Sequence, residues 1–347
     1  MAARAEIRDA FRMLRALTPY KLYNAALLWG SYHYSRARKR PLQLGMPMAV
    51  SVEPTTSCNL RCPECPSGLR SFSRPTGMLR KEVFEKILDD IGQHVWFLTF
   101  YFQGEPFLHP NFLELVKAAK KRRIYVSTST NAHYMGKDMA RRVVESGIDR
   151  VIISIDGTTQ EVYKQYRVGG KLDKVIEGAK NLVEAKKNAS SATPYVIFQF
   201  LVVRPNEHQV EDARRLAREL GVDEIKFKSA QLYDFENGNP LMPEAEEFSR
   251  YRKGKDGKYR IRNRLLDQCW KMWHSCVFTW DADVVPCCFD KDAKYPMGSA
   301  LEKPFREVWK GEKYRRFRST LLNGRSQIDI CNNCTEGTRV WLEAGAE

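Results

Sequence analysis

From residue 49 onward the chain alternates two hydrophobic patterns. Short apolar runs over 49–54, 95–102, 124–129, 150–155, 195–203 and 224–228 have the length and composition of strands. Between them, amphipathic helical stretches are predicted over 80–91, 111–121, 135–146, 160–166, 172–188 and 207–220. Gly92, Gly147 and Gly221 stand near three helix ends, where a left-handed cap is wanted. Six strands with helices between them predict an α/β fold with a parallel sheet. The period alone fits an open doubly wound sheet or an incomplete barrel. In both, residues just past the C-terminal strand ends face the site. The distinctive polar residues collect there: the loop from Cys58, Gln103-Gly104-Glu105-Pro106, the stretch 127–131, Ser154-Ile155-Asp156-Gly157 and Lys228-Ser229.

Three regions flank or follow this pattern. Residues 1–48 read as a helical extension, with Ile7, Phe11, Leu14 and Leu17 at helical spacing and a second helix over 20–34. Packing against the main domain is the expected role; the other reading is a peripheral membrane contact, suggested by the basic residues and Trp29. The barrel-like unit is expected over 49–231. Residues 232–262, broken by Gly238, Pro240, Pro243, Gly254 and Gly257, read as a linker or surface excursion. Residues 263–347 hold six of the nine cysteines and five of the seven tryptophans, and read as a second, smaller domain.

Composition narrows the classes. A chain of 347 residues needs no staples to build a core, and no apolar run reaches the roughly 20 residues of a spanning helix. No secretory signal is visible, so a cytoplasmic location with reduced thiols is expected. Net charge is +15, but the basic residues are scattered. Aromatic residues are not interleaved with them as a stacking platform requires, so no nucleic-acid partner is expected.

The cysteines carry the chemistry. They fall in three groups: Cys58, Cys62 and Cys65; Cys269, Cys276, Cys287 and Cys288; Cys331 and Cys334. Thiolates at short spacing converge on one metal or iron–sulfur site. Cys58, Cys62 and Cys65 directly follow the first strand at spacing C-x3-C-x2-C. Three thiolates on a 4Fe-4S cluster leave one iron open for substrate chemistry. A zinc knuckle with a distant fourth ligand is the competing reading.

This triad, with its companion loops in order, resembles the radical S-adenosylmethionine (radical SAM) superfamily. The resemblance implies a partial (β/α)6 TIM-like barrel. It also implies a SAM-binding 4Fe-4S cluster on Cys58, Cys62 and Cys65, whose open iron is chelated by SAM. One electron then yields a 5′-deoxyadenosyl radical that abstracts hydrogen. Gln103-Gly104-Glu105-Pro106 resembles the family loop that meets the methionyl amino group. Ser154 and Asp156 resemble the strand-four motif near the ribose and carboxylate. Arg167 stands where related chains carry a carboxylate partner. Asn131, Gln199 and Lys228 are further SAM contacts by position. Two departures stand out: Gln103 replaces a glycine, and Glu64 replaces the aromatic residue usual before the third cysteine.

The C-terminal segment around Cys287, with a predicted hairpin over 281–285, resembles the SPASM/Twitch auxiliary-cluster domain, here with Ala282 and Asp283 where a glycine is usual. Without further cysteines after Cys334, the shorter form is expected: a small α+β domain with a second, auxiliary 4Fe-4S cluster on Cys269, Cys287, Cys331 and Cys334. A zinc on the same four thiolates is the alternative. Cys276 and Cys288 are then spare, as buried apolar residues or as hydrogen donors to a substrate radical; the competing reading is that one of them replaces one of the four. The resemblance implies dehydrogenation or epimerisation of a sugar- or aminocyclitol-like small molecule. A peptide-modifying maturase is the second reading, and a zinc-stabilised nucleic-acid-binding protein is a third from another class. A ferredoxin or flavodoxin is the expected electron donor.

Overall fold

The structure is a computed structural model that describes residues 2–335 and the short strand Trp341–Leu342. Strands β1 (Ala49–Val52), β2 (Phe97–Thr99), β3 (Tyr125–Thr130), β4 (Arg150–Ser154), β5 (Tyr195–Val202) and β6 (Glu224–Ser229) pair in parallel in chain order. That order decides what periodicity left open. A doubly wound sheet reverses at a switch point, whereas here every crossover steps the same way, as in a barrel. The outer edge of β1 pairs with a later strand instead of β6, so the barrel is partial.

The crossovers are helical. Two N-terminal helices, α1 (Ala2–Arg15) and α2 (Pro19–Arg38), precede the barrel, and a single turn, α3 (Pro66–Leu69), follows the cysteine loop. Then come α4 (Lys81–Ile91), α5 (Phe112–Lys121), α6 (Lys137–Glu145), α7 (Gln160–Tyr166), α8 (Leu172–Asn188) and α9 (Val210–Leu220). Their apolar stripes are buried: α4 hides Val83, Phe84, Ile87, Leu88 and Ile91, and Phe84 stacks on Phe100. Each such side chain contributes roughly 1.5–3 kcal/mol on burial. Gly147 and Gly221 take the left-handed conformation expected of them; Gly92 remains right-handed.

Residues 263 onward do not stand apart from the sheet. After a hairpin of β7 (Tyr251–Lys253) and β8 (Tyr259–Ile261), strand β9 (Ser275–Phe278) pairs parallel to β1, aligning Ala49 with Ser275. Strands β10 (Asp283–Val285) and β11 (Gly298–Ser299) extend the sheet antiparallel, and β12 (Trp341–Leu342) pairs with β6. Ala282 forms the β9–β10 turn at φ 67°, the left-handed region a glycine would fill without a steric penalty.

The N-terminal helices dock through polar groups. Ile7, Phe11 and Leu14 are 53–61% exposed, whereas Asp9 is buried against Tyr125 and Arg150. Trp96 Nε1 donates to Met13 O at 2.6 Å. Lys21 Nζ donates to Ala16 O and Arg123 O at 3.0 and 2.8 Å. Burial, with Arg123 and Lys120 nearby, pulls Lys21 down to about 8.

Candidate active site

The cysteine loop leaves β1 at the C-terminal end of the parallel strands. Cys58 lies within electrostatic range of Cys62 and Cys65. Each thiol has a nearby partner. Leu60 N donates to Cys58 Sγ at 3.4 Å, Arg167 Nη1 to Cys62 Sγ at 3.7 Å, and Cys65 Sγ to Gln103 Oε1 at 3.7 Å. A Cβ at Gly68 would lie 2.5 Å from the Cys62 backbone, so this wrap requires glycine. Burial pushes Cys58 up to about 12 and raises Cys62, which Arg167 opposes. Cys62 is buried and Cys58 and Cys65 are half-buried; three thiols on one loop fit a soft metal, which would hold them as thiolates where burial alone would not.

The next loops are laced to this one. Gly104, at φ 77°, accepts no side chain: a Cβ would meet Thr55 O at 2.1 Å. Gly104 N donates to Ser67 Oγ at 2.9 Å, and Glu105 N to Ser57 O at 2.8 Å. The Glu105 carboxylate accepts from Thr130 Oγ1 and Asn131 N, both at 2.7 Å, and from Phe107 N at 3.2 Å. It therefore locks the ends of β2 and β3 together. Asn131 Nδ2 donates to Asn59 Oδ1 at 2.8 Å, returning β3 to the cysteine loop.

Asp156, wholly buried, holds Arg167 Nε at 2.5 Å through Oδ2 and accepts from Leu201 N at 2.7 Å through Oδ1. Burial raises its carboxyl, and Arg167 opposes the rise. Asp156 acts beneath the site by aiming Arg167 at Cys62. Ser154 and Gln199 are register partners on β4 and β5, and Lys228 follows on β6 beside Leu201. Gln103, Gly104, Glu105, Asn131, Ser154, Arg167, Gln199 and Lys228 all line one cavity of about 600 Å³ with Cys58, Cys62 and Cys65. Asp156 does not line it.

The C-terminal cysteines converge from three segments. Cys287 lies in electrostatic range of Cys269 and Cys334, and Arg325 in range of Cys269, Cys331 and Cys334. Arg325 is 3% exposed, and its Nη1 donates to Gln268 O at 2.9 Å. A buried cation with a nitrogen, Nε, unpartnered among the described residues, beside three of these thiols, fits an anionic thiolate cluster. Cys269, Cys287, Cys331 and Cys334 are the residues that would hold it. The two spare cysteines part company. Cys276 is 1% exposed on β9, in the core with Trp273 and Phe278, and away from the cavity lining. Cys288 lines the cavity.

Similar proteins agree with this geometry. Residues 52–217 match the model of the radical SAM superfamily, and residues 269–335 match that of an iron–sulfur cluster-binding domain, SPASM. The mycofactocin maturase MftC of Mycobacterium ulcerans is 30% identical over 84% of this chain and 81% of its own length. This chain belongs to the radical SAM superfamily. A tungsten-containing aldehyde ferredoxin oxidoreductase cofactor-modifying protein of Pyrococcus furiosus is 26% identical over 82% of this chain and 86% of that protein. BtrN, solved in complex with AdoMet and 2-DOIA, shares the fold with a TM-score of 0.53 at 18% identity, over 85% of this chain and 95% of BtrN. The protein is thus a radical SAM enzyme with a radical SAM 4Fe-4S cluster, SAM and a SPASM iron–sulfur domain. Among the described residues no helix is long and apolar enough to cross a membrane.

Sequence reasoning missed part of this radical SAM site. Tyr101, Phe102 and Tyr166 give the cavity aromatic surface, while Glu64 turns away to accept from Tyr233 N at 2.8 Å. Arg250, Lys271 and Lys291 also line it. Arg250 comes from the stretch expected to be a linker. That stretch instead packs Leu232, Met242 and Tyr251 with Leu60, Cys62 and Tyr166. Tyr251 Oη donates to Asn333 Oδ1 at 2.8 Å, between Cys331 and Cys334. The apolar residues Leu232, Leu241 and Met242 were the available signal.

Proposed function

We propose that the enzyme removes a hydrogen atom from a carbon of a sugar- or aminocyclitol-like small molecule, and that the net reaction is dehydrogenation or epimerisation. The observation that carries this reading is the single cavity of about 600 Å³ running from the Cys58 loop to Cys288, the neighbour of Cys287. A volume of that order suits a cofactor with a small substrate. When bound, the cluster and SAM supply the hydrogen-abstracting chemistry. The chain's own residues bind the substrate, orient the reacting carbon and exclude water. Cys288 presents an S–H to the cavity, so it is the hydrogen donor in the epimerisation branch. In the dehydrogenation branch Cys269, Cys287, Cys331 and Cys334 would hold the auxiliary cluster, which would supply the electron acceptor. BtrN's complex with AdoMet and 2-DOIA supports a small molecule on this fold. Peptide modification is the second reading, favoured by the 30% identity to a mycofactocin maturase.

The test uses anaerobically reconstituted enzyme, SAM and dithionite in D2O, with a panel of sugars and aminocyclitols. Solvent deuterium in a recovered stereoisomer, abolished by Cys288→Ala while 5′-deoxyadenosine still forms, marks epimerisation. A product two hydrogens lighter, formed with or without Cys288, marks dehydrogenation. Turnover of a precursor peptide with none of the panel overturns the small-molecule reading.

Two partner proposals accompany it. A ferredoxin or flavodoxin supplies the electron, its acidic face meeting the basic surface. The exposed row Ile7, Phe11 and Leu14, flanked by Arg8 and Arg15, supports peripheral contact of residues 1–48 with an anionic membrane. Absence of co-sedimentation with anionic vesicles would discard that contact.

A further inference from the structure

The lining of this cavity is rich in cations. Lys228, Arg250, Lys271 and Lys291 all line it. Of the two carboxylates in the lining, Glu105 ties β2 to β3, and Glu64 accepts from Tyr233 N and lies in electrostatic range of Lys291, leaving Arg250 without a carboxylate among its charge partners. Arg250 is the anomalous member. It is 6% exposed, and its Nη2 donates to Ser229 O at 3.2 Å. Its Nε and Nη1 are buried with no hydrogen-bond partner among the described residues. Lys228 and Lys291 both lie in electrostatic range of Arg250, so the three cations share one neighbourhood.

A buried guanidinium with two unmade hydrogen bonds, among like charges, is costly. A bound oxyanion removes that cost, and guanidinium pairs with such groups through two parallel hydrogen bonds. Lys228, Lys271 and Lys291 share the lining with Arg250, a positive field that favours a doubly charged oxyanion over a singly charged one. A phosphoryl group, with nearly two negative charges and three acceptor oxygens, matches them better.

We propose that Arg250 anchors a phosphoryl group of the substrate, with Lys228, Lys271 and Lys291 supplying the surrounding positive field. The inference rests on the reading of this cavity as the substrate site, and it narrows the substrate to a phosphorylated small molecule. Arg250 also lies within electrostatic range of Cys334, so the rival role is service to the auxiliary cluster.

The experiment is equilibrium dialysis of inorganic phosphate against the reconstituted, SAM-loaded holoenzyme at fixed ionic strength, with acetate as competitor. The wild type, Arg250→Gln and Lys291→Met are compared, and the potential of the second cluster is titrated in each. The expected result is phosphate binding that acetate displaces at least tenfold less well than unlabelled phosphate. Arg250→Gln should weaken it at least tenfold and Lys291→Met several-fold, with the cluster potential unmoved. Unchanged phosphate binding in Arg250→Gln overturns the proposal, as does acetate competing equally. A shifted potential with intact phosphate binding assigns Arg250 to the cluster instead. If Arg250→Gln does not retain wild-type iron, Lys291→Met and Lys271→Met carry the same test. Binding is read without turnover. Phosphate binding with the expected variants, but no phosphorylated sugar or cyclitol consumed, would therefore break the small-molecule reading and leave the anion site standing.

Discussion

The two cysteine neighbourhoods are built on opposite plans. Cys58, Cys62 and Cys65 sit on one loop after one strand, and neighbouring strand ends are laced onto that loop by Gly104, Glu105 and Asn131. Cys269, Cys287, Cys331 and Cys334 come from segments far apart in sequence, and meet only because β9 and β10 extend the sheet beyond β1. Each neighbourhood has an arginine beside its thiols, half-buried in the first and buried in the second. Arg167 is paired with a carboxylate, Asp156, whereas Arg325 leans on carbonyls and retains a nitrogen unpartnered among the described residues. The first site is thus charge-balanced and locally braced before a cluster binds. The second depends on the cluster and on the whole fold.

The largest effect that would break this contrast comes from removing one cysteine on each side. Cys58→Ala should lose about four irons per chain, and 5′-deoxyadenosine formation should fall below detection. Cys331→Ala should also lose about four irons yet still cleave SAM. Iron and sulfide analysis with a dithionite assay reads both, and equal loss of cleavage would erase the distinction. Next is Gly104→Ala, which sets a methyl group against Thr55 O and strains a positive φ. It should cost at least about 1–3 kcal/mol, seen as a lowered urea midpoint and poor reconstitution of the first cluster only.

Asp156→Asn leaves the loops intact but releases Arg167. SAM cleavage should slow by about 10–100-fold, with wild-type iron content. Unchanged cleavage would show that Arg167 needs no brace. The smallest effect belongs to the N-terminal dock. Lys21 is held below its ordinary value in the fold, so the unfolded chain keeps that proton to higher pH. Stability should therefore rise with pH between about 8 and 10.5, and Lys21→Met should flatten that slope in urea titrations.

Legibility followed the same divide. The strands and helices of the barrel were readable because their periodicity is local, and so was the Cys58 loop, whose ligands are neighbours in sequence. The docking of α1 was not: its apolar row Ile7, Phe11 and Leu14 suggested the packed face, yet Asp9 is the buried anchor. Hydrophobic spacing cannot reveal that Tyr125 and Arg150 await a carboxylate. Residues 232–262 read as a linker because glycines and prolines break the pattern, although a few apolar residues suffice to seat the segment on the cysteine loop.

The sequence by itself determined the element types, the C-terminal face of the strands as the reactive one, and the cysteine triad with its companion loops. These depend on side-chain period and on ligands only a few residues apart. Only the tertiary structure decided that β1 pairs with β9 instead of closing on β6, and that Cys288 reaches the cavity while Cys276 is sealed in the core. It also decided that Arg250, Lys271 and Lys291 meet Lys228 in the lining of one cavity. Such convergence is set by long-range strand pairing and burial, which no local pattern encodes.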